Sequence, residues 1–417
     1  MNSFRISDDK KINIKYAALQ GSYWFLASAA LAFVTPILES KGFKSSEIGI
    51  ISSVRCISVV AFQPFAAQFC DRHSDKNTTK NTVTVMGMLS ALAGAMLYLI
   101  PADLFLAVVI SVLFGATVSS LPAMIDALSL QYINAGRKLN YGICRAVGSA
   151  TWAVGCIILG RLADLFGYST VIIIQVCFSA VFVLISVIMD PSRTETGGSR
   201  PSEKKKPEES VHGGIYLLTH YPKYTVYLIY CMFLFAGYTL NSTFLIDLYE
   251  GMGGTAADYG MAEFVLAVSE IPAVIFIVPV IKKTGLEKLV IISAFFSMIR
   301  VLAIALAPNV TLAILAQVFE MGGTAVYYAS NIYIVKAYLP EADLVKGVSY
   351  INVASMGVGT TLGSFFSGTV MEMFGIDFLM MVSVYVMITG LAFAVIMKFV
   401  PYTTEKHIEE TYCQVKQ

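Results

Sequence analysis

The sequence predicts an all-α membrane protein of twelve transmembrane helices, arranged as two pseudo-symmetric halves of six. Three observations predict it: long apolar runs, a one-sided distribution of basic residues, and short motifs repeated at offsets of 208 and 211 residues. The 417 residues are 56% hydrophobic and only 14% charged, too little charge for the surface of a soluble domain this large. Runs at 83–100, 104–124, 171–189 and 378–397 each approach the roughly 20 residues that cross a bilayer as helix.

Breaks between the apolar runs place spans at 16–39, 47–70, 82–100, 104–131, 141–163 and 169–189 in a first half covering 1–189. A second half covering 223–417 holds spans at 224–249, 259–281, 289–307, 310–337, 347–371 and 376–399, followed by a short tail. The long polar interruption at 190–222 contains Glu195-Thr-Gly-Gly-Ser-Arg-Pro-Ser-Glu-Lys-Lys-Lys206, a composition that suits a mobile cytoplasmic linker. Residues 1–15 are polar and lead into a full-length span, which is not the pattern of a cleavable signal peptide.

Orientation follows from the basic residues. With the N-terminus, the even-to-odd loops, the linker and the tail on the cytoplasmic side, those segments and the adjoining span edges hold 23 of the 29 Lys and Arg. The opposite loops hold only Lys41 and Lys44. The positive-inside rule then predicts a multi-pass protein of the inner or plasma membrane with both termini cytoplasmic.

Repetition supports two halves. Gly160-Arg-Leu-Ala-Asp164-Leu-Phe-Gly167 ends the fifth span and Gly368-Thr-Val-Met-Glu372-Met-Phe-Gly375 ends the eleventh. Gly42-x4-Glu47-x-Gly49 before the second span matches Gly253-x4-Asp258-x-Gly260 before the eighth. Duplicated halves with a substrate held at the midplane are a recurring transporter architecture.

Charges inside the spans are the informative residues, because each costs about 2.5–3.5 kcal/mol at a helix centre on insertion scales. They are Arg55, Asp126, Arg145, Glu263, Glu270, Arg300 and Glu320. Asp126 and Arg145 flank the hairpin of spans four and five at similar distances from Ala135, which predicts similar depth and pairing. Trp152 follows Arg145 by two turns on the same helix face. Arg, Asp and an indole together can bind a sugar through its hydroxyls and its apolar face; a structural ion pair beside a packed Trp152 is the competing reading. Arg300 and Glu320 flank the turn at Pro308–Asn309, and a carboxyl whose proton affinity depends on a nearby arginine can load and unload a proton; a static salt bridge is the alternative. Glu270 sits in the middle of span eight, and Glu263 nearer its outer end reads as a solvated pore residue. Arg55, one-third into span two, has no nearby carboxylate in the sequence, so it either pairs across helices or meets an anionic substrate.

Other classes fit poorly. Net charge is +1, which gives no field for nucleic acid. The seven cysteines show no zinc or redox spacing, and His73, His212, His220 and His407 lie in loops or tails without a nucleophile nearby, so neither a metal site nor an enzyme is expected. The linker and tail are too short for an appended signalling domain.

Several segments resemble the lactose permease branch of the major facilitator superfamily, the oligosaccharide/proton symporters, over essentially the whole chain. They are Gly49-Ile-Ile51 with Phe62-Gln-Pro64 and Asp71-Arg72; Asp126 with Tyr141-Gly-x-x-Arg145-x-x-Gly148-x-x-x-Trp152; Ser269-Glu-Ile-Pro272; Ser297-x-x-Arg300; and Gln317-Val-Phe-Glu320. The resemblance implies that Asp126, Arg145 and Trp152 bind substrate, that Glu320 is the protonation site with Arg300 promoting its deprotonation, and that Glu270 connects the two. Departures are specific. The superfamily's loop motif is degraded to Ala67-Gln-Phe-Cys-Asp71-Arg-His-Ser74, Gln317 stands where the permease has a histidine, and the family's acidic pair in span seven becomes Tyr238 and Asn241. Arg55 is an additional charge.

The expectation is a monomeric, proton-coupled importer of a small hydrophilic solute, a sugar or oligosaccharide first. It needs no cofactor beyond the proton gradient, and its partners are that solute, protons and the lipid bilayer, with no nucleic acid. A symporter of nucleosides or of aromatic or organic anions, to which Arg55 would be suited, is the alternative, with a multidrug exporter behind it.

Overall fold

A computed structural model describes residues 8–72, 78–189 and 214–401. Every regular element among them is helical. In chain order these are α1 (Asp8–Ala27), a π-helical turn (Ser28–Ala32) and α2 (Val34–Ser40), then α3 (Ser45–Arg72), α4 (Thr78–Leu99), α5 (Leu104–Ala116), α6 (Leu121–Asn134), α7 (Tyr141–Phe166) and α8 (Tyr168–Val187). After them come α9 (Gly214–His220), α10 (Pro222–Ser242), α11 (Leu245–Gly251), α12 (Ala256–Thr284), α13 (Leu286–Ala305) and α14 (Val310–Ala316). A 3-10 segment (Gln317–Gly322) leads to α15 (Thr324–Tyr338), α16 (Leu344–Asn352), a second π-helical turn (Val353–Gly359) and α17 (Thr360–Phe399).

Among the described residues, ten helical stretches are long and apolar enough to span a bilayer, eleven when Asp9–Ala32 and Val34–Ser40, bent by 50°, count as one. The last stretch, Leu344–Ile396, has 53 residues, about 80 Å of helix at 1.5 Å per residue and far beyond a hydrocarbon core of about 30 Å. Gly375, with φ 80° and ψ 179°, breaks it. Divided there, it corresponds to the expected eleventh and twelfth spans. Most of the expected linker, 190–213, lies outside the described residues; its end is already helical, as α9 and the start of α10.

The chain falls into two compact units. The first is 1–198 together with 254–267, and the second is 199–253 together with 268–417. The first thus takes in the start of span eight as well as the six spans expected of it.

The repeated motifs now have a physical meaning. Gly42 (φ 91°) and Gly253 (φ 82°) close the preceding helices in a backbone conformation that a side chain would strain. Five residues on, Glu47 accepts from the Lys44 N–H at 2.9 Å and Asp258 from the Thr255 N–H at 2.9 Å, capping the next helix. Asp164 of the other motif caps as well, at a distance in sequence: its carboxylate accepts the Ala256 and Ala257 N–H groups at 2.9 and 3.0 Å, at the N-terminus of α12. Two glycines make that approach possible, since a Cβ on Gly160 would lie 2.3 Å from the Ala256 carbonyl and one on Gly260 2.2 Å from that of Cys156.

Spans one, four, seven and ten share an interruption. Span one breaks at the π turn and Phe33, span four at residues 117–120, span seven at 243–244 and span ten at the 3-10 segment. Within a membrane the freed backbone groups need internal partners. The Tyr23 hydroxyl donates to the Val118 carbonyl at 2.9 Å, and the Ser293 hydroxyl to the Gly323 carbonyl at 2.8 Å. These broken helices carry most of the polar residues described next.

Candidate functional site

In the first unit the polar cluster is built across α1, α6 and α7. Asp126 on α6 accepts a hydrogen bond from the Tyr141 hydroxyl at 3.0 Å and a longer one from the Gln20 amide at 3.5 Å. Gln20 also donates to the Tyr16 hydroxyl at 3.0 Å, and its carbonyl accepts from the Trp24 indole N–H at 3.1 Å. Gln20 and Trp24 lie four residues apart on α1 and therefore share a face. The Arg145 guanidinium carbon sits 4.2 Å from the Trp24 ring centroid, a cation–π geometry, and its Nη1 donates to the Ser149 hydroxyl at 3.0 Å. Trp152 meets Trp24 edge to face, with centroids 5.9 Å apart. These are the chain's only two tryptophans.

The direct Asp126–Arg145 ion pair expected from hairpin depth is not formed among the described residues. Equal depth brings the side chains into one cluster but does not aim them at each other. Asp126 is occupied by two neutral donors, and Arg145 has turned onto an indole. Trp152 packs on Trp24, the ring that Arg145 lies over. A Cβ on Gly148 would lie 2.3 Å from Trp24 Cδ1, so this glycine is what lets the indole settle against α7. Asp126, Arg145, Trp24 and Trp152 are all partly exposed. Together they gather a carboxylate, a guanidinium and two indoles in one partly exposed cluster, a combination whose chemistry suits hydroxyls on the rim of a flat apolar face.

Arg55 does not join this cluster. It lies on α3, its Nη1 donates to the Ser119 hydroxyl at 3.4 Å, and it lines a separate cleft together with α2, α4, α5 and α8.

In the second unit Arg300 on α13 and Glu320 on the 3-10 segment form an ion pair at 3.0 Å, their side chains 2% and 1% exposed. The hairpin geometry that misplaced the first pair predicts this one. Arg300 also donates to the Asn241 side-chain carbonyl at 3.5 Å, and its guanidinium lies 4.7 Å from the Tyr238 ring centroid. Thus the two residues standing where the family has acids are neutral neighbours of Arg300, and Glu320 is a carboxylate paired with it. One oxygen of Glu320 takes the ion pair, while the other, Oε1, has no hydrogen-bond partner among the described residues. Gln317, three residues earlier, falls on the same side of a 3-10 turn. Its amide donates to the Tyr249 hydroxyl at 3.4 Å, and its buried carbonyl oxygen has no partner among the described residues. Glu270 is partly exposed on α12, beside Ser269, whose hydroxyl donates to the Gln317 backbone carbonyl at 3.3 Å. Gly322 and Gly323 let the segment approach α13: a Cβ on Gly322 would lie 2.5 Å from the Phe296 ring.

Sequence reasoning missed Gln20, Trp24 and the bonding role of Tyr141. The available signal was a glutamine and a tryptophan at i, i+4 in the middle of an otherwise apolar first span.

Broken helices with buried polar groups at their breaks, in two units built from repeated motifs, define a membrane transporter. The comparisons then fix its family. Residues 16–382 match the MFS_1 like family, and the chain belongs to it, as a transporter of the major facilitator superfamily. The uncharacterized transporter YwbF of Bacillus subtilis (strain 168) is 25% identical over 363 residues, covering 86% of this chain and 87% of the relative. The maltose permease of Geobacillus stearothermophilus is 24% identical over 357 residues, covering 84% and 86%. The crystal structure of the nucleoside transporter NupG superposes with a TM-score of 0.74 at 15% identity, covering 93% of this chain and 98% of that one.

Proposed function

We propose that the chain is a proton-coupled symporter that imports a sugar or oligosaccharide by alternating access. The observation that carries the proposal is Glu320. It is a carboxylate withdrawn from solvent on a helix break, held through one oxygen by Arg300, with the other oxygen unsatisfied. Protonating Glu320 neutralises one member of the buried pair and leaves Arg300 to its existing contacts with Asn241 and Tyr238; deprotonation restores the pair. That alternation gives the second unit two states whose balance a proton biases. Asp126, Arg145, Trp24 and Trp152 are the proposed sugar site, and Glu270 is proposed to couple substrate binding to protonation. The maltose permease relative supports the substrate class.

The distribution of basic residues supports cytoplasmic termini and a cytoplasmic linker, and the proposed transporter works as a monomer in the cell membrane. A nucleoside is the second reading. The contact between Trp24 and Trp152 favours it, since the two indoles offer a flat base somewhere to stack, and a nucleoside transporter shares the fold. Proteoliposomes with an imposed inward proton gradient test both readings. Accumulation of radiolabelled maltose, blocked by an uncoupler and not competed by uridine, is the expected result. Uptake of uridine instead transfers the site to the nucleoside reading, and downhill uptake indifferent to the gradient rejects proton coupling.

A further inference from the structure

Arg55 carries a charge inside a membrane span and, among the described residues, has no carboxylate within ion-pair distance. Its one polar contact among them is the weak one to Ser119, and its Nε is buried with no hydrogen-bond partner. A guanidinium cannot discharge itself by losing a proton, so its missing counter-charge has to come from elsewhere.

The surroundings say what could supply it. Arg55 lines a narrow cleft inside the first unit, part of it open to the outside. The walls are Ile37 and Leu38 of α2, Leu97 of α4, Ile110 and Phe114 of α5 and further aliphatic side chains. Ser52, Ser111 and Gln175 are the other polar residues, and Gln175, 2% exposed, keeps an unsatisfied Oε1. None of the proposed sugar-binding residues lines it. Next to it, span one is rewound as a π turn, Ala29 and Ala30 of that turn forming part of the wall. Such turns occur frequently at functional sites.

We propose that this cleft is a second binding site, for a monocarboxylate with a linear aliphatic tail of the butyrate-to-octanoate class. The carboxylate would pair with Arg55 and the tail would pack along Ile37, Leu38, Leu97 and Ile110. With a single aromatic wall, Phe114, and two hydroxyls, the cleft lacks the donors and faces that a sugar or a nucleobase needs. Arg55 lies ten residues, about 15 Å, along α3 from its start at Ser45. That depth is below the headgroup region of a bilayer whose core is about 30 Å thick, which favours a free acid over a phospholipid phosphate.

The test uses the full chain in phosphatidylcholine nanodiscs, with calorimetric titration of acetate, butyrate, hexanoate, octanoate and octanol. Affinity is expected to rise from acetate to octanoate, with octanol at least tenfold weaker than octanoate. Arg55→Met should weaken octanoate at least tenfold and Arg55→Lys less. Ala107→Phe, which fills the cleft and leaves the charge in place, should also weaken it at least tenfold. Repeating the titration in phosphatidylglycerol discs separates sources: unchanged octanoate affinity assigns the anion to a free acid, whereas competition assigns it to a lipid headgroup at the same arginine and overturns the free-acid proposal. Equal binding of octanol and octanoate overturns it as well. So does octanoate binding that survives both Arg55→Met and Ala107→Phe in folded protein.

Discussion

Arg145 lays its guanidinium over the ring of Trp24, 4.2 Å from the centroid, instead of pairing with Asp126. A ligand bound at the proposed site, between the carboxylate and the guanidinium, would have no ion pair to break. It would meet a cation already oriented by an indole and a carboxylate already oriented by Tyr141.

Trp24→Ala should weaken substrate binding roughly tenfold, because cation–π and aromatic contacts are worth about 0.5–2 kcal/mol each at partly desolvated sites. Trp24→Phe should lose less. The chain's two tryptophans touch, so intrinsic tryptophan fluorescence reports on this site alone. Quenching by a saturating sugar that persists, with reduced amplitude, in each of the single variants Trp24→Phe and Trp152→Phe is the expected pattern.

Gly148→Ala probes the same site without removing a polar group. Its methyl would lie 2.3 Å from Trp24 Cδ1 and must displace the indole. Binding should fall at least as far as in Trp24→Phe, while thermal stability drops by the about 1–3 kcal/mol typical of overpacking. Unchanged affinity would show that the indole position is unimportant.

Asp164→Ala removes the cap on α12 and should cost about 0.5–2 kcal/mol of stability. Asp164→Asn, which keeps an acceptor, should recover part of it. Gly160→Val should be worse than either, since its side chain would meet the Ala256 carbonyl. Thermal unfolding followed by a fluorescent thiol probe on the buried cysteines ranks the three variants.

Breaking the buried pair from one side should be costly. Arg300→Met leaves Glu320 without its cation and is expected to destabilise by about 3–5 kcal/mol. The double variant Arg300→Met/Glu320→Met should be markedly more stable than that single variant, because two apolar side chains replace two charges. A double variant as unstable as Arg300→Met would contradict the ion pair as the source of the loss.

The parts legible in the sequence were those with a local or periodic signature. Apolar runs gave the spans, and the glycines and acids of the repeats turned out to be turn and cap residues, required wherever helices stop and start. The Arg300–Glu320 pair was legible because a tight turn puts flanking residues at one depth. The same reasoning failed for Asp126 and Arg145. Depth does not fix the direction of a side chain, and the competing partners Tyr141, Gln20 and Trp24 include two from α1, more than one hundred residues before the hairpin. Contacts that depend on how separate helices rotate against each other leave no spacing to read. The cleft beside Arg55 is of that kind as well: the sequence displayed the unmatched charge, and only five assembled helices display its apolar walls.

The most direct test of the account is maltose transport by Glu320→Gln in proteoliposomes, measured both as accumulation against a gradient and as equilibrium exchange. A side chain that is permanently neutral should abolish accumulation driven by an imposed proton gradient while leaving exchange within about threefold of the parent. Accumulation that persists in Glu320→Gln would contradict the assignment of Glu320 as the proton-carrying group, and with it the central claim.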